Sequence, residues 1–590
     1  MRRSKPLAVV AVAGMLTLAA CGGSSDSGNK GATDTASFGA QDAVAKDAKR
    51  QGPAPDVEGA TTGGTITAYL PGDPGPNDID PTGGWSVTGN SIMQDLAMRS
   101  LTQYAYDPAS KTMVLVPDLA TDLGTPNADF TEWTFTLKDG LKWEDGSAIT
   151  AEQLAFGISR SMDSDTFPGG PGTEYSQTYF SGAGTYKGPY TDKGKAWDGV
   201  TVDGMKITIK MAKPFPDMDY WGTFMAMGPV PEGNASKPPG YGLKPMSSGP
   251  YKVESFKPTQ ELVLVKNEQW DPKSDPARHQ YADKYIFKFN ADPEQTDQIM
   301  LSGNAQSATS LSNAVQAKNY QDAKAKLGDH LVQQSAQCGS FWAPDYTKIT
   351  DINVRKALAY AYPYEDVWLA TGEIPGVTRV PANSIMPPGM AGKPGDDFQV
   401  DGKQITTDPA KAKQLLADAG YADKPYPISM IYYEADPLAV DGQKQITKAL
   451  DSSGFKVTAI PVQVSPYDIW LDPDNKVNKT LNLRGVNWCS DWPSGLTMVP
   501  PLTKTGATYN TAQFSEPTVD DEMNNITSNT PLKDQAAAWG ALDQKILKDY
   551  YPIIPTAYRN DLFTFGSKIG NPTGDGSFGA PNYKDLFVMK

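Results

Sequence analysis

Histidine is almost missing from this chain: 590 residues carry two, His279 and His330. Both sit among polar residues (PARHQ and GDHLV) with no partner at ligand spacing. That excludes a histidine-built zinc cluster and argues against a Ser/His/Asp triad. Cysteine is nearly as scarce, with three residues, Cys21, Cys338 and Cys489. Positive charge is in deficit: 53 Lys and Arg against 68 Asp and Glu leave a net charge of −15. A chain this acidic has no overall electrostatic footprint for nucleic acid. No G-x-S-x-G elbow and no Walker A loop occur. Gly574-Asp-Gly576-Ser-Phe-Gly579 fits G-x-G-x-x-G, but no strand precedes it and Pro581 blocks the helix that would cradle a phosphate. Asp472-Pro-Asp474-Asn475 lacks the spaced glycine and terminal glutamate of a calcium loop and reads as a solvated turn. No cofactor and no metal are expected, and no pair among the many carboxylates is marked as a hydrolase's acid and base.

What is present is enough apolar material for sizeable cores: 39% hydrophobic and 10% aromatic residues. The length implies at least two packed bodies. Glycine (55) and proline (48) imply many turns and short strands. Period-two alternation predicts strands at Thr65–Leu70, Glu132–Lys138, Lys206–Lys210, Glu261–Val265 and Tyr285–Phe289. Thr150-Ala-Glu-Gln153 resembles a capping box that opens a helix over 151–161. Asp408 with Pro409 opens another that stops at Gly420. Asp351–Tyr362 is amphipathic, and Pro363 ends it or starts a second helix. Asp441–Ser452 and Lys533–Lys548 are further helical segments. The mixed order predicts α/β lobes.

The N-terminus reads as an export signal. Arg2, Arg3 and Lys5 precede an apolar run, Leu7 to Leu18, that is too short to span a bilayer. Leu18-Ala19-Ala20-Cys21 followed by Gly22-Gly23 resembles a bacterial lipobox, so residues 1–20 are expected to be removed and Cys21 lipid-modified. Residues 21–60, rich in Gly, Ser, Ala and Asp, read as a flexible tether. In an oxidising compartment Cys338 and Cys489 form a disulfide or remain two buried thiols; spacing alone leaves both open.

Five segments, in one order along the chain, resemble the bacterial solute-binding proteins of family 5, the peptide and nickel receptors of ABC importers. They are Val116–Ala120 with Glu132–Asp163; Ser248–Lys252 with ELVLVKNEQW ending at Trp270; Ile352–Tyr360; Asp408–Tyr421; and Tyr551–Pro555. The resemblance implies a two-lobed α/β periplasmic-binding-protein-like fold (type II, cluster C), joined by hinge strands, with an extra subdomain on the first lobe. The expected layout is lobe I over 61–105, 200–336 and 553–590, the extra subdomain over 106–199, and lobe II over 337–552. Ligand would lie in the cleft between the lobes, with no chemistry done on it.

Trp488-Cys489-Ser490-Asp491-Trp492-Pro493 resembles the oligopeptide-receptor segment whose aspartate anchors a peptide's α-amino group. The family pairs that cysteine with one at the start of the second lobe, where Cys338 stands, which implies the disulfide. Asp491 is then the ligand anchor; from the residues alone it could equally be a turn or helix cap. Trp85, Trp342, Trp488 and Trp492 are candidate cleft walls, with ordinary core packing as the other reading of each. Nickel fits poorly, because the histidines lack partners. The implied function is a monomeric, lipid-anchored receptor outside the cytoplasmic membrane that captures short peptides for an ABC permease and its ATPase. Two alternatives stay open, an oligosaccharide ligand for the same receptor and a tethered secreted hydrolase.

Overall fold

The computed structural model describes residues 45–192, 197–395 and 405–590. The expected signal peptide, Cys21 and the first part of the expected tether lie outside these residues. Among the described residues no helix is long and apolar enough to cross a membrane.

The chain enters through β1 (Ala45–Lys46), β2 (Thr65–Pro71) and the hairpin of β3 (Thr102–Asp107) with β4 (Thr112–Pro117). β1 adds in parallel to β4, Ala45 opposite Val114 and Lys46 opposite Leu115. Residues 45–60 therefore lie on the body, which corrects the reading of all of 21–60 as a flexible tether. They are held by polar contacts, including Gln51 Nε2 to the Thr121 carbonyl at 2.8 Å and Lys46 Nζ to Asp219 at 2.7 Å. Low apolar content signals a tether only where hydrogen bonds and charges do not substitute for apolar burial.

Next come β5 (Thr125–Pro126), β6 (Glu132–Thr136), β7 (Val200–Asp203) and β8 (Lys206–Lys210), one sheet in the order β5-β6-β8-β7. Trp133 pairs with Ile209 and Phe135 with Ile207, all four buried. Residues 200–210 thus share one sheet and one apolar face with β6. Thr150 and Gln153 make the expected capping box on the helix Ala151–Arg160.

The largest sheet combines β2 with β9 (Tyr251–Lys257), β10 (Glu261–Lys266), β11 (Lys284–Ala291), β12 (Ser310–Ser312), β13 (Leu331–Pro344), β14 (Arg379–Val380), β17 (Leu483–Cys489) and β18 (Ile554–Phe565). Its order is β17-β13-β18-β12-β2-β11-β10-β9, with β14 also on β18. The strands β15 (Tyr426–Tyr433) and β16 (Phe455–Val462) make a separate parallel pair. β13 and β18 are long enough to serve both halves of the molecule. Residues 331–335 of β13 pair with 560–564 of β18, beside β12. After a shift between Ser335 and Cys338, residues 338–342 pair with 554–559 and, on the other side, with β17. Ala336 and Gln337 are the inserted residues, and Gln337 sits at φ 52°. Such a bulge bends and re-aims a strand, and here it marks the passage from one lobe to the other. The fold is two-lobed α/β.

Beneath the first lobe lies a closed set of ion pairs. Arg99 Nε meets Asp118 at 2.7 Å, Arg278 Nη2 meets the other Asp118 oxygen at 2.9 Å, and Arg278 Nη1 meets Asp275 at 3.2 Å, all four residues being buried. Arg278 also donates to the Gln94 carbonyl at the end of the helix Val87–Leu96, fixing that helix against the sheet.

Candidate ligand-binding cleft

β17 ends at Cys489, which stands opposite Cys338 and is joined to it by a disulfide. The next residue, Ser490, donates its N–H to the Gln337 carbonyl at 3.1 Å and its hydroxyl to Gln337 Oε1 at 3.0 Å. Disulfide and bulge together fix the turn that carries Asp491.

Two residues from distant parts of the chain close on the Asp491 carboxylate. Trp85 donates its indole N–H to Oδ1 at 2.9 Å, and the Tyr175 hydroxyl donates to Oδ2. Trp85 comes from the loop before the helix Val87–Leu96, whose cap is the Ser86 hydroxyl. Tyr175 comes from the segment between the short helical turns Pro171–Thr173 and Ser176–Tyr179. Among the described residues no lysine or arginine pairs with Asp491, which is half-buried. Burial pushes its carboxyl up to about 6; the hydrogen bonds from Tyr175 and Trp85 pull it down, and the nearby Glu174 carboxylate adds to the rise. A desolvated carboxylate held by two neutral donors has room for a cation, because each oxygen can accept a second hydrogen bond.

The tryptophans divide. Trp85 reaches Asp491. Trp492 is fully buried, donates to Asp217 at 2.7 Å and lies 4.5 Å from the Tyr175 ring, between Phe215, Trp221 and Phe224. Trp342 is buried in the second lobe, edge-on to Tyr362 at 4.7 Å. Both depart from the expectation of cleft walls, because neighbouring rings fill the space around them. Trp488 is half-buried, donates to the Thr497 carbonyl at 2.6 Å and packs 4.5 Å from Tyr509.

Behind the disulfide lies a cavity of about 220 Å³ whose walls include Asp73, Cys338, Cys489, Arg559, Asp561 and Phe563. Arg559 and Asp561 pair there, Nη2 to Oδ1 at 2.7 Å. Burial pushes the Asp561 carboxyl up while Arg559 pulls it down. Among the described residues no group of three or more His, Cys, Asp or Glu could hold a metal ion.

Sequence reasoning missed Tyr175, Asp217, Arg559 and Asp561. Asp217 precedes a single helical turn, a cap-like position that could have been noticed, but nothing local names Trp492 as its partner.

Two halves joined by a bulged hinge, with a carboxylate closed between them, define a two-lobed binding protein. The chain matches the family described as "Bacterial extracellular solute-binding proteins, family 5 Middle" over residues 114–510, more than half of its length, and it belongs to that family. It is 22% identical over 474 residues to the periplasmic oligopeptide-binding protein OppA of Escherichia coli (strain K12), covering 79% of this chain and 83% of that one. It is 24% identical over 496 residues to the periplasmic murein peptide-binding protein MppA of the same strain, covering 81% and 85%. Among solved structures, the clavulanic acid biosynthesis oligopeptide binding protein 2 superposes with a TM-score of 0.79 at 22% identity, over 92% of this chain and 99% of that one.

Proposed function

We propose that this chain is the lipid-anchored receptor of an ABC importer, held outside the cytoplasmic membrane through Cys21, and that it captures short peptides by their free N-terminus. The observation that carries this is Asp491, a desolvated carboxylate with two neutral donors and, among the described residues, no counter-cation. A peptide ammonium supplies the missing charge in a charge-assisted hydrogen bond, and leaving the carboxylate buried without it is unfavourable. β17 is an edge strand and leads directly into Asp491, which suits main-chain recognition tolerant of varied side chains. The relatives named for oligopeptides and murein peptides support the same ligand class. The test is calorimetric titration of the exported protein with free-amine tri- to pentapeptides and with malto-oligosaccharides of similar size. Binding of the peptides alone is expected. Binding of the sugars alone would overturn the ligand, and hydrolysis of the peptides would overturn the receptor role.

A further inference from the structure

We propose that Asp217 is a positioning residue for the closed cleft: it takes the indole N–H of Trp492 and so fixes the turn that carries Asp491, while Lys46 of β1 neutralises Asp219 on the same turn. The inference rests on the reading that ligand is held by closure of the two lobes, and it brings the segment before the first lobe into that process.

Asp217 opens the short helix Met218–Trp221, its carbonyl accepting from the N–H groups of Tyr220 at 3.1 Å and Trp221 at 2.9 Å. Its side chain points the other way, to Trp492 at 2.7 Å. Donor and acceptor are both buried and one is a carboxylate, which makes this bond stronger than a neutral one. Trp492 directly follows Asp491, so the bond is one residue from the candidate anchor and ties that turn to the helix Met218–Trp221.

Two residues beyond Asp217, on the same turn, Asp219 is also buried. Two buried carboxylates this close need a cation, because each raises the cost of ionising the other. Lys46 provides it: Nζ lies 2.7 Å from Asp219 and 4.0 Å from the centre of the Tyr220 ring. Burial lowers the pKa of this ammonium, but Asp219, Tyr220 and Asp217 around it raise it further, so the charge persists. Lys46 reaches this place only because β1 is docked on β4. The ammonium carried by β1 is thus paired with a carboxylate two residues from the one that holds Trp492.

The test uses the exported chain without ligand, so that a failure of peptide binding does not bear on it. Small-angle scattering reads the balance of open and closed lobes for wild type, Lys46→Met, Lys46→Arg, Trp492→Phe and the Lys46→Met/Trp492→Phe double variant. Wild type should scatter as the closed form. Lys46→Met and Trp492→Phe should each raise the open-to-closed ratio by roughly tenfold or more, the scale of a hydrogen bond to a charged group. Lys46→Arg should behave as wild type, and the double variant should be no more open than Trp492→Phe alone. If Trp492→Phe fails to fold, the contrast between Lys46→Met and Lys46→Arg decides. Lys46→Met scattering as wild type, or a wild type already open, would overturn the proposal.

Discussion

Replacing Asp491 by asparagine removes a charge and little else. Trp85 can only donate, so the asparagine Oδ1 turns to it, and the Nδ2 faces the Tyr175 hydroxyl, which can rotate and accept. Both capping contacts survive, and the lobes still close. What is lost is the charge opposite a ligand ammonium that is itself taken out of water. Truncating one partner of such a pair costs about 2–5 kcal/mol, or about 30-fold to a few thousand-fold in Kd. Calorimetry on wild type and Asp491→Asn, each with one peptide in its free-amine and N-acetylated forms, separates this from general damage. Acetylation should weaken binding to wild type strongly and binding to the variant hardly at all. The reasoning fails if the variant binds the free-amine peptide as tightly as wild type does, or if acetylation costs both proteins the same.

Four further outcomes are expected. The Asp491 carboxyl is raised to about 6 without ligand, so an ammonium must expel a proton below that pH; affinity should be level above pH 7 and fall by up to about tenfold per unit as pH drops through 6. A pH-independent Kd between 5 and 8 would contradict this. Reducing the Cys338–Cys489 bond opens a loop of 151 residues and should lower stability by up to about 5 kcal/mol in the chain-entropy account, read as a shifted denaturation midpoint. Arg278→Met leaves Asp118 and Asp275 buried with one partner fewer and should cost about 3–5 kcal/mol in urea unfolding. Cys21→Ser should move the exported protein from the membrane fraction to the medium or periplasm, as fractionation would show.

Local features were legible because local physics sets them. The alternation of Trp133, Phe135, Ile207 and Ile209 announces two strands that pair in the structure. Asp408 caps its helix as expected, the segment read as amphipathic from Asp351 forms the helix Ile352–Ala361 with Asp351 as its cap, and Pro363 begins a second helix, Tyr364–Ala370. One start was read late: the helix placed at Asp441 begins at Pro437, after an Asp436 cap that carries the same Asp-Pro signal as Asp408. Residues 45–60 do not read as docked because their anchors, a two-residue strand, a lysine and a glutamine, leave no apolar trace. Asp491 and Trp85 were both named from the sequence, and the structure brings them together. Tyr175 and Asp217 lie 316 and 275 positions from the residues they bond, and no periodicity or cap links such pairs. Whether a tryptophan walls a cleft or fills a core depends on which rings surround it, so Trp342 and Trp492 could not be told from Trp85 by residue type.

The most direct test of the central claim is to purify the exported protein, denature it and identify any released small molecule by mass spectrometry. Short peptides with free N-termini are the predicted cargo. Oligosaccharides, or peptides with blocked N-termini, would contradict the role given to Asp491.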